Sequence, residues 1–219
     1  MRPDLDRAMA AFERARSYAA TSAELAAEVA WQRAVSPSRF TETDLLREAA
    51  WVILCSGFRE AVVRRAFGHI SLCFYDWESA GAIVEATPAC VLAARSAFNN
   101  PQKLTAIVQV ARRINAETFP ALKRRILEQP AAELRRFPFI GDVTAWHLAK
   151  NLGCDVAKPD RHLVRLARSF GYPDPHQLCA ALARESGEPV RVVDLVLWRY
   201  AADVLSATTG SERQLPFRF

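Results

Sequence analysis

No apolar run in this chain approaches the roughly 20 residues that a membrane-crossing helix needs. The opening Met1-Arg2-Pro3-Asp4 also lacks the basic-then-apolar pattern of a secretory signal. These two absences predict a cytoplasmic protein. Paired cysteines are missing too. Cys55, Cys73, Cys90, Cys154 and Cys179 are scattered, none close enough to another to read as a metal or redox motif, which predicts reduced thiols acting as small apolar residues. No stretch alternates apolar and polar residues as a strand would, and there is no internal repeat or low-complexity segment.

What is present is a chain of 219 residues, long enough to bury one full core or to form two small lobes. Apolar residues make up 51% and charged residues 24%, the balance of a globular protein. The net charge of +5 suits a polyanionic partner. Basic residues concentrate between Lys103 and Lys158, where Arg112, Arg113, Lys123, Arg124, Arg125, Arg135, Arg136 and Lys150 fall with few acids among them. Singly each reads as part of a solvated helix face; together they predict a phosphate-facing surface.

Helical periodicity runs through nearly every segment, so the expected fold class is all-α. Pro3–Val35 reads as one long or two short helices, ended by Ser36-Pro37-Ser38. Thr41 to Asp44 offers capping chemistry before the apolar segment Leu45–Leu54, and a further helix is expected from Arg59 to about Phe67. Apolar stripes recur at Leu104, Ile107, Val108 and Ala111, and again at Leu163, Leu166, Ala167 and Phe170. Val190–Leu205 predicts a final apolar helix, and Thr208–Phe219 an irregular tail.

The chemistry concentrates after Leu134. A short helix ends near Arg136, Pro138 to Gly141 forms a tight hairpin, and a new helix starts near Asp142. Free amides at such a hairpin and at the following helix N-terminus, helped by the helix dipole, bind a phosphate without reading sequence. An ordinary αα-corner has the same local pattern. Further on, Pro159-Asp160 precedes an apolar periodic run, a helix-start signal. An aspartate so placed caps the helix, with its carboxylate beside the positive end of the dipole.

Phe137-Pro138-Phe139-Ile140-Gly141 matches a hairpin of the form L-P-G-[IV]-G, and Asp160, His162, Leu163 and Arg165 match the pattern D-x-H-[VL]-x-R. On these residues the chain resembles the helix–hairpin–helix DNA glycosylase superfamily, well over residues 40 to 170 and loosely at its ends. Ile53–Phe58 and Asn99–Lys103 stand where members place a pocket-lining helix end and an N-x-x-K helix start. The resemblance implies a two-lobed helical bundle. Residues 1–40 and 158–219 would form one lobe, and 41–157 a central lobe with the helix–hairpin–helix at about 131–152.

By the same resemblance, Asp160 is the catalytic carboxylate and faces the cleft. Phe139, Ile140, Gly141, Val143, Thr144, Lys158, His162 and Arg165 are expected to contact duplex DNA. A base flipped from the stack needs a pocket, for which Trp51, Phe58, Tyr75, Trp77 and Trp146 are the aromatic candidates. The protein is expected to act as a monomer on DNA carrying a damaged or modified base, in base excision, with no metal or organic cofactor.

Two departures qualify this. Phe139 replaces a glycine, which predicts a local backbone that avoids positive φ. Val143 stands where strand-cleaving members carry a nucleophilic lysine, so the expected enzyme is monofunctional and leaves an abasic site. The alternatives are a non-catalytic hairpin protein that binds DNA, and a bifunctional glycosylase/lyase using Lys158 or Lys150. The excised base, an alkylated purine or an enzymatically modified base such as phage DNA contains, stays open.

Overall fold

In a computed structural model of the chain, which describes residues 3–205, every regular element is helical and no strand occurs among the described residues. The tail expected over Thr208–Phe219 lies outside them. No described helix is long and apolar enough to cross a membrane.

The alanine-rich start forms two helices, α1 (Leu5–Ala19) and α2 (Ala23–Ala34), divided where Ser22 accepts a bond from the Leu25 amide to open the second. α3 (Glu42–Cys55) begins at a reciprocal cap. Thr41 Oγ1 accepts from the Asp44 amide at 3.2 Å while the Asp44 carboxylate accepts from the Thr41 amide at 2.9 Å, an arrangement worth about 1 kcal/mol. α4 (Glu60–Cys73) runs past the end near Phe67 that the sequence predicts. Gly68 costs about 1 kcal/mol of helix propensity. Burying Ile70, fully enclosed one turn after Ala66, returns about 2 kcal/mol, and the helix continues.

After a short turn at Tyr75–Trp77 come α5 (Ala80–Glu85), α6 (Thr87–Ala94), α7 (Pro101–Glu117) and α8 (Phe119–Glu128). α9 (Pro130–Leu134) and α10 (Asp142–Asn151) flank the hairpin, and α11 (Arg161–Ser169) follows Asp160. α12 (Pro175–Ser186), capped by Asp174, was not anticipated, although Asp-Pro is a start signal. The expected last helix is divided. α13 (Val190–Tyr200) gives way to a single π turn at Ala201–Leu205.

These helices make two compact units. One joins the chain before Ser36 to the chain from Gly153 onward; the other is Ser36–Leu152. The sequence placed these divisions near residues 40 and 157. In the first unit α1 packs on α13, and Phe12, Leu163, Leu178, Leu182, Val193 and Leu197 form its core. In the second, α7 packs against α3 and α5 and buries Leu104, Ile107 and Ile114 with Leu45, Leu46 and Ile53.

Candidate nucleic-acid interface

In the second unit the hairpin spans Arg135–Gly141 between α9 and α10, and Phe137 and Ile140 turn inward. Ile140 is 5% exposed, so this expected DNA contact is an anchor of the hairpin to its own core. The Gly141 amide is not free either, since it donates to Thr144 Oγ1 at 2.7 Å. That leaves the amides of Asp142, Val143 and Thr144, which helix geometry provides with no intrahelical acceptor. Val143 is exposed beside them, and Arg135 pairs with the Asp142 carboxylate that would otherwise repel an anion there. Gly141 itself has ordinary negative φ, and a Cβ built on it meets nothing closer than Thr144 Oγ1 at 4.0 Å. Nothing among the described residues requires a glycine at 141.

Phe139 corrects the expectation from its sequence. It takes φ 59°, the left-handed region that the glycine of the motif would occupy freely. Its ring finds a partner that repays the strain: the Lys103 ammonium lies 4.8 Å from the ring centroid and 5.5 Å from that of Phe58. Lys103 is 4% exposed, and its Nζ donates to the Ile53 carbonyl near the end of α3. No carboxylate pairs with it among the described residues. Burial pushes its pKa down from 10.5 to about 8, slightly opposed by Cys55. The sequence singles out Phe58 and Phe139, and places Lys103 in the basic stretch and at an N-x-x-K helix start; Asn100 does cap the Lys103 amide, but the burial of its ammonium is not part of that expectation.

The other aromatic candidates divide. Trp51 and Trp77 sit either side of Phe67, with centroids 5.1 and 5.8 Å from it. Trp77 is 2% exposed, stacks on Phe74 and donates its indole N–H to Ser71 Oγ, so it is core and offers no face to a base. Its turn is unusual: Tyr75, Asp76 and Trp77 all have positive φ. Tyr75 is exposed on that turn, Trp51 is half-buried under the Arg64 guanidinium, and Trp146 is half-buried on α10.

The expected basic surface is largely spent inside the unit. Glu133, itself buried, binds Arg113, Arg125 and Arg136, and Glu117 binds Arg113 and Arg125. Lys123 donates to the carbonyls of Ser38 and Phe40. Lys150, read from sequence as a solvent or phosphate contact, is buried. Arg112 and Arg124 remain exposed.

In the first unit Asp160 caps α11. Its Oδ1 accepts from the amides of His162 at 2.9 Å and Leu163 at 3.0 Å, and neither bond uses Oδ2. The loop before it is fastened to α13 at two points. Asp194, with no exposed surface, accepts from the Lys158 amide at 2.6 Å, and Asp155 accepts from the Arg191 amide at 3.1 Å. Arg191 also donates to the carbonyls of Gln32, Arg33 and Val35, which ties the end of α2 to the same place. The Lys158 ammonium lies 5.8 Å from the Trp198 ring. His162 has its pKa lowered by burial, with Arg161, Arg165 and Lys158 adding to the effect and Asp160 opposing it. At neutral pH it is a neutral ring, accepting from Arg161 Nε at 3.3 Å. Arg165 is exposed one turn along.

Among the described residues no three His, Cys, Asp or Glu side chains gather as a metal site requires. Comparison with known family profiles, with characterised proteins and with solved structures returns no match to this chain.

Proposed function

We propose that the chain is a DNA N-glycosylase of the helix–hairpin–helix type. It hydrolyses the bond between a damaged or modified base and its deoxyribose and leaves an abasic site. The observation that carries this reading is the state of Asp160. One carboxylate oxygen is fixed by two amides at a helix N-terminus while Oδ2 takes neither bond, and the preceding loop is clamped by Asp194 and Arg191. A carboxylate held this rigidly, with an oxygen to spare, suits stabilisation of a cationic sugar or alignment of water. Simple capping needs no such clamp on the loop ahead of it.

Two features of the hairpin support a duplex partner. The first-turn amides of α10 remain available to a phosphate oxygen, with Arg135 offsetting the Asp142 charge. Gly141 leaves open space that no described residue fills, which suits close approach by a nucleic-acid backbone. Val143 in place of an amine at the hairpin supports hydrolysis by water.

Incubation with a panel of duplexes carrying modified bases, with mass spectrometry of the released base, tests the proposal. Release by the wild type and its loss in Asp160→Asn are expected. A protein that binds these duplexes but frees no base from any of them is a hairpin-binding module and not an enzyme.

A further inference from the structure

We propose that Lys103 is an amine nucleophile toward aldehydes, and that its target is the ring-opened C1′ aldehyde of an abasic deoxyribose. This goes beyond hydrolytic excision and rests on the DNA reading only for the identity of the aldehyde.

Four observations converge on this side chain. Lys103 is almost wholly enclosed, with no carboxylate ion-paired to it among the described residues and the Cys55 thiol as an acidic neighbour. Its Nζ spends one hydrogen on the Ile53 carbonyl, so a neutral amine held there keeps its lone pair. It occupies the first turn of the 17-residue α7, where the positive end of the dipole disfavours an ammonium. Finally, the rings within 6 Å of Nζ, Phe58 and Phe139, are 41% and 43% exposed. Two partly exposed aromatic side chains therefore lie against the amine on the hairpin side.

The depressed pKa supports this geometry. At pH 7.5 a group titrating at about 8 is roughly one-quarter neutral, against about 0.1% for a lysine at 10.5. Desolvation of an amine beside apolar walls is an established way to activate it.

The step balances without any co-reactant. The Lys103 lone pair adds to C1′, the carbinolamine loses water, and an imine joins Nζ to the sugar. Protonated, that imine acidifies the C2′ hydrogen. Loss of that proton to water, with departure of the 3′ phosphate, breaks the C3′–O bond, and water then hydrolyses the imine to return Lys103. Borohydride diverts the sequence by delivering hydride to the imine carbon, which leaves a stable secondary amine.

The test uses the full chain at pH 7.5 with duplex DNA whose abasic site is formed beforehand, so it does not depend on base release. With borohydride present, a one-to-one covalent adduct is expected, and peptide mapping should place it on Lys103 among the chain's four lysines. At duplex concentrations that saturate binding of each protein, Lys103→Met and Lys103→Arg should lower adduct yield at least tenfold. No adduct, or an adduct on Lys123, Lys150 or Lys158, overturns the proposal. The mapping is made on the wild type, so a poorly folding variant cannot obscure it. A parallel arm with propanal and borohydride locates the cause of failure: even labelling of all four lysines means that Lys103 is not activated. Selective labelling of Lys103 without a DNA adduct means that the aldehyde was misassigned. Loss of base release with the Lys103 adduct intact would instead count against the glycosylase reading alone.

Discussion

The Lys103 ammonium lies 4.8 Å from the centroid of the Phe139 ring, and Phe139 holds a left-handed backbone at φ 59° in making that contact. A left-handed conformation costs a residue with a Cβ about 1 kcal/mol or more, and a desolvated cation–π contact returns about 1–2 kcal/mol. The two terms nearly cancel, so a bulky residue persists where the backbone favours glycine.

Phe139→Gly and Phe139→Ala separate those terms. Both lose the ring, but only glycine relieves the backbone. Phe139→Gly is expected to be more stable than Phe139→Ala by about 1 kcal/mol in urea unfolding. Equal stabilities would mean that the left-handed backbone carries no strain.

Lys103 makes stability depend on pH in a definite direction. Its folded pKa, about 8, lies below the unfolded 10.5, so the unfolded chain binds more protons between those values. Stability from this group therefore rises as pH increases from about 8 to 10.5, and the cost of burying the charge is fully present below that window. Urea unfolding of wild type and Lys103→Met at pH 7.5 and 10 should show the wild type gaining relative to the variant at high pH.

Asp160 combines a cap with a charge, and two substitutions divide these roles. Asparagine keeps an oxygen for the His162 and Leu163 amides, so Asp160→Asn should lose less than about 1 kcal/mol of stability, whereas Asp160→Ala should lose about 1–2 kcal/mol. Base release should fall on the order of a hundredfold or more in both. Single-turnover assays alongside thermal unfolding check this.

Gly141→Ala tests the space at the hairpin. Among the described residues the added methyl meets nothing nearer than Thr144 Oγ1 at 4.0 Å, so stability should change by less than about 1 kcal/mol. Duplex affinity should fall at least fivefold as the methyl obstructs the approaching backbone. Unchanged affinity in a filter-binding or anisotropy titration would remove the hairpin from the DNA contact.

Glu133→Ala leaves the half-buried guanidinium of Arg113 with Glu117 as its remaining partner, and should cost about 2 kcal/mol in unfolding free energy. Arg112→Ala should leave stability within about 0.5 kcal/mol, as for other exposed positions. If these arginines serve as assigned, removing Arg113 leaves the slope of duplex affinity against salt unchanged, and removing a true phosphate contact lowers it by about 1.

By itself the sequence determined the helices and where most of them start, because capping and 3.6-residue periodicity are local. Thr41, Asn100, Asp160 and Asp174 each cap a helix from within three residues. Ends and interruptions were less legible: α4 runs beyond Phe67 and the last helix breaks at Tyr200, since burial of distant partners sets those limits. Tertiary structure alone decided the fate of each charge and ring. Trp77 reads like Trp51 in sequence but is enclosed by Phe67 and Phe74. Arg113 reads like Arg112 but closes on Glu133, twenty positions away. Lys103 reads in sequence as a base at an N-x-x-K helix start, and it is α3, α7 and the hairpin that enclose it between Ile53, Phe58 and Phe139. Desolvation depends on what surrounds a group in space, and that is why its effect on Lys103 could not be read from neighbours in the chain.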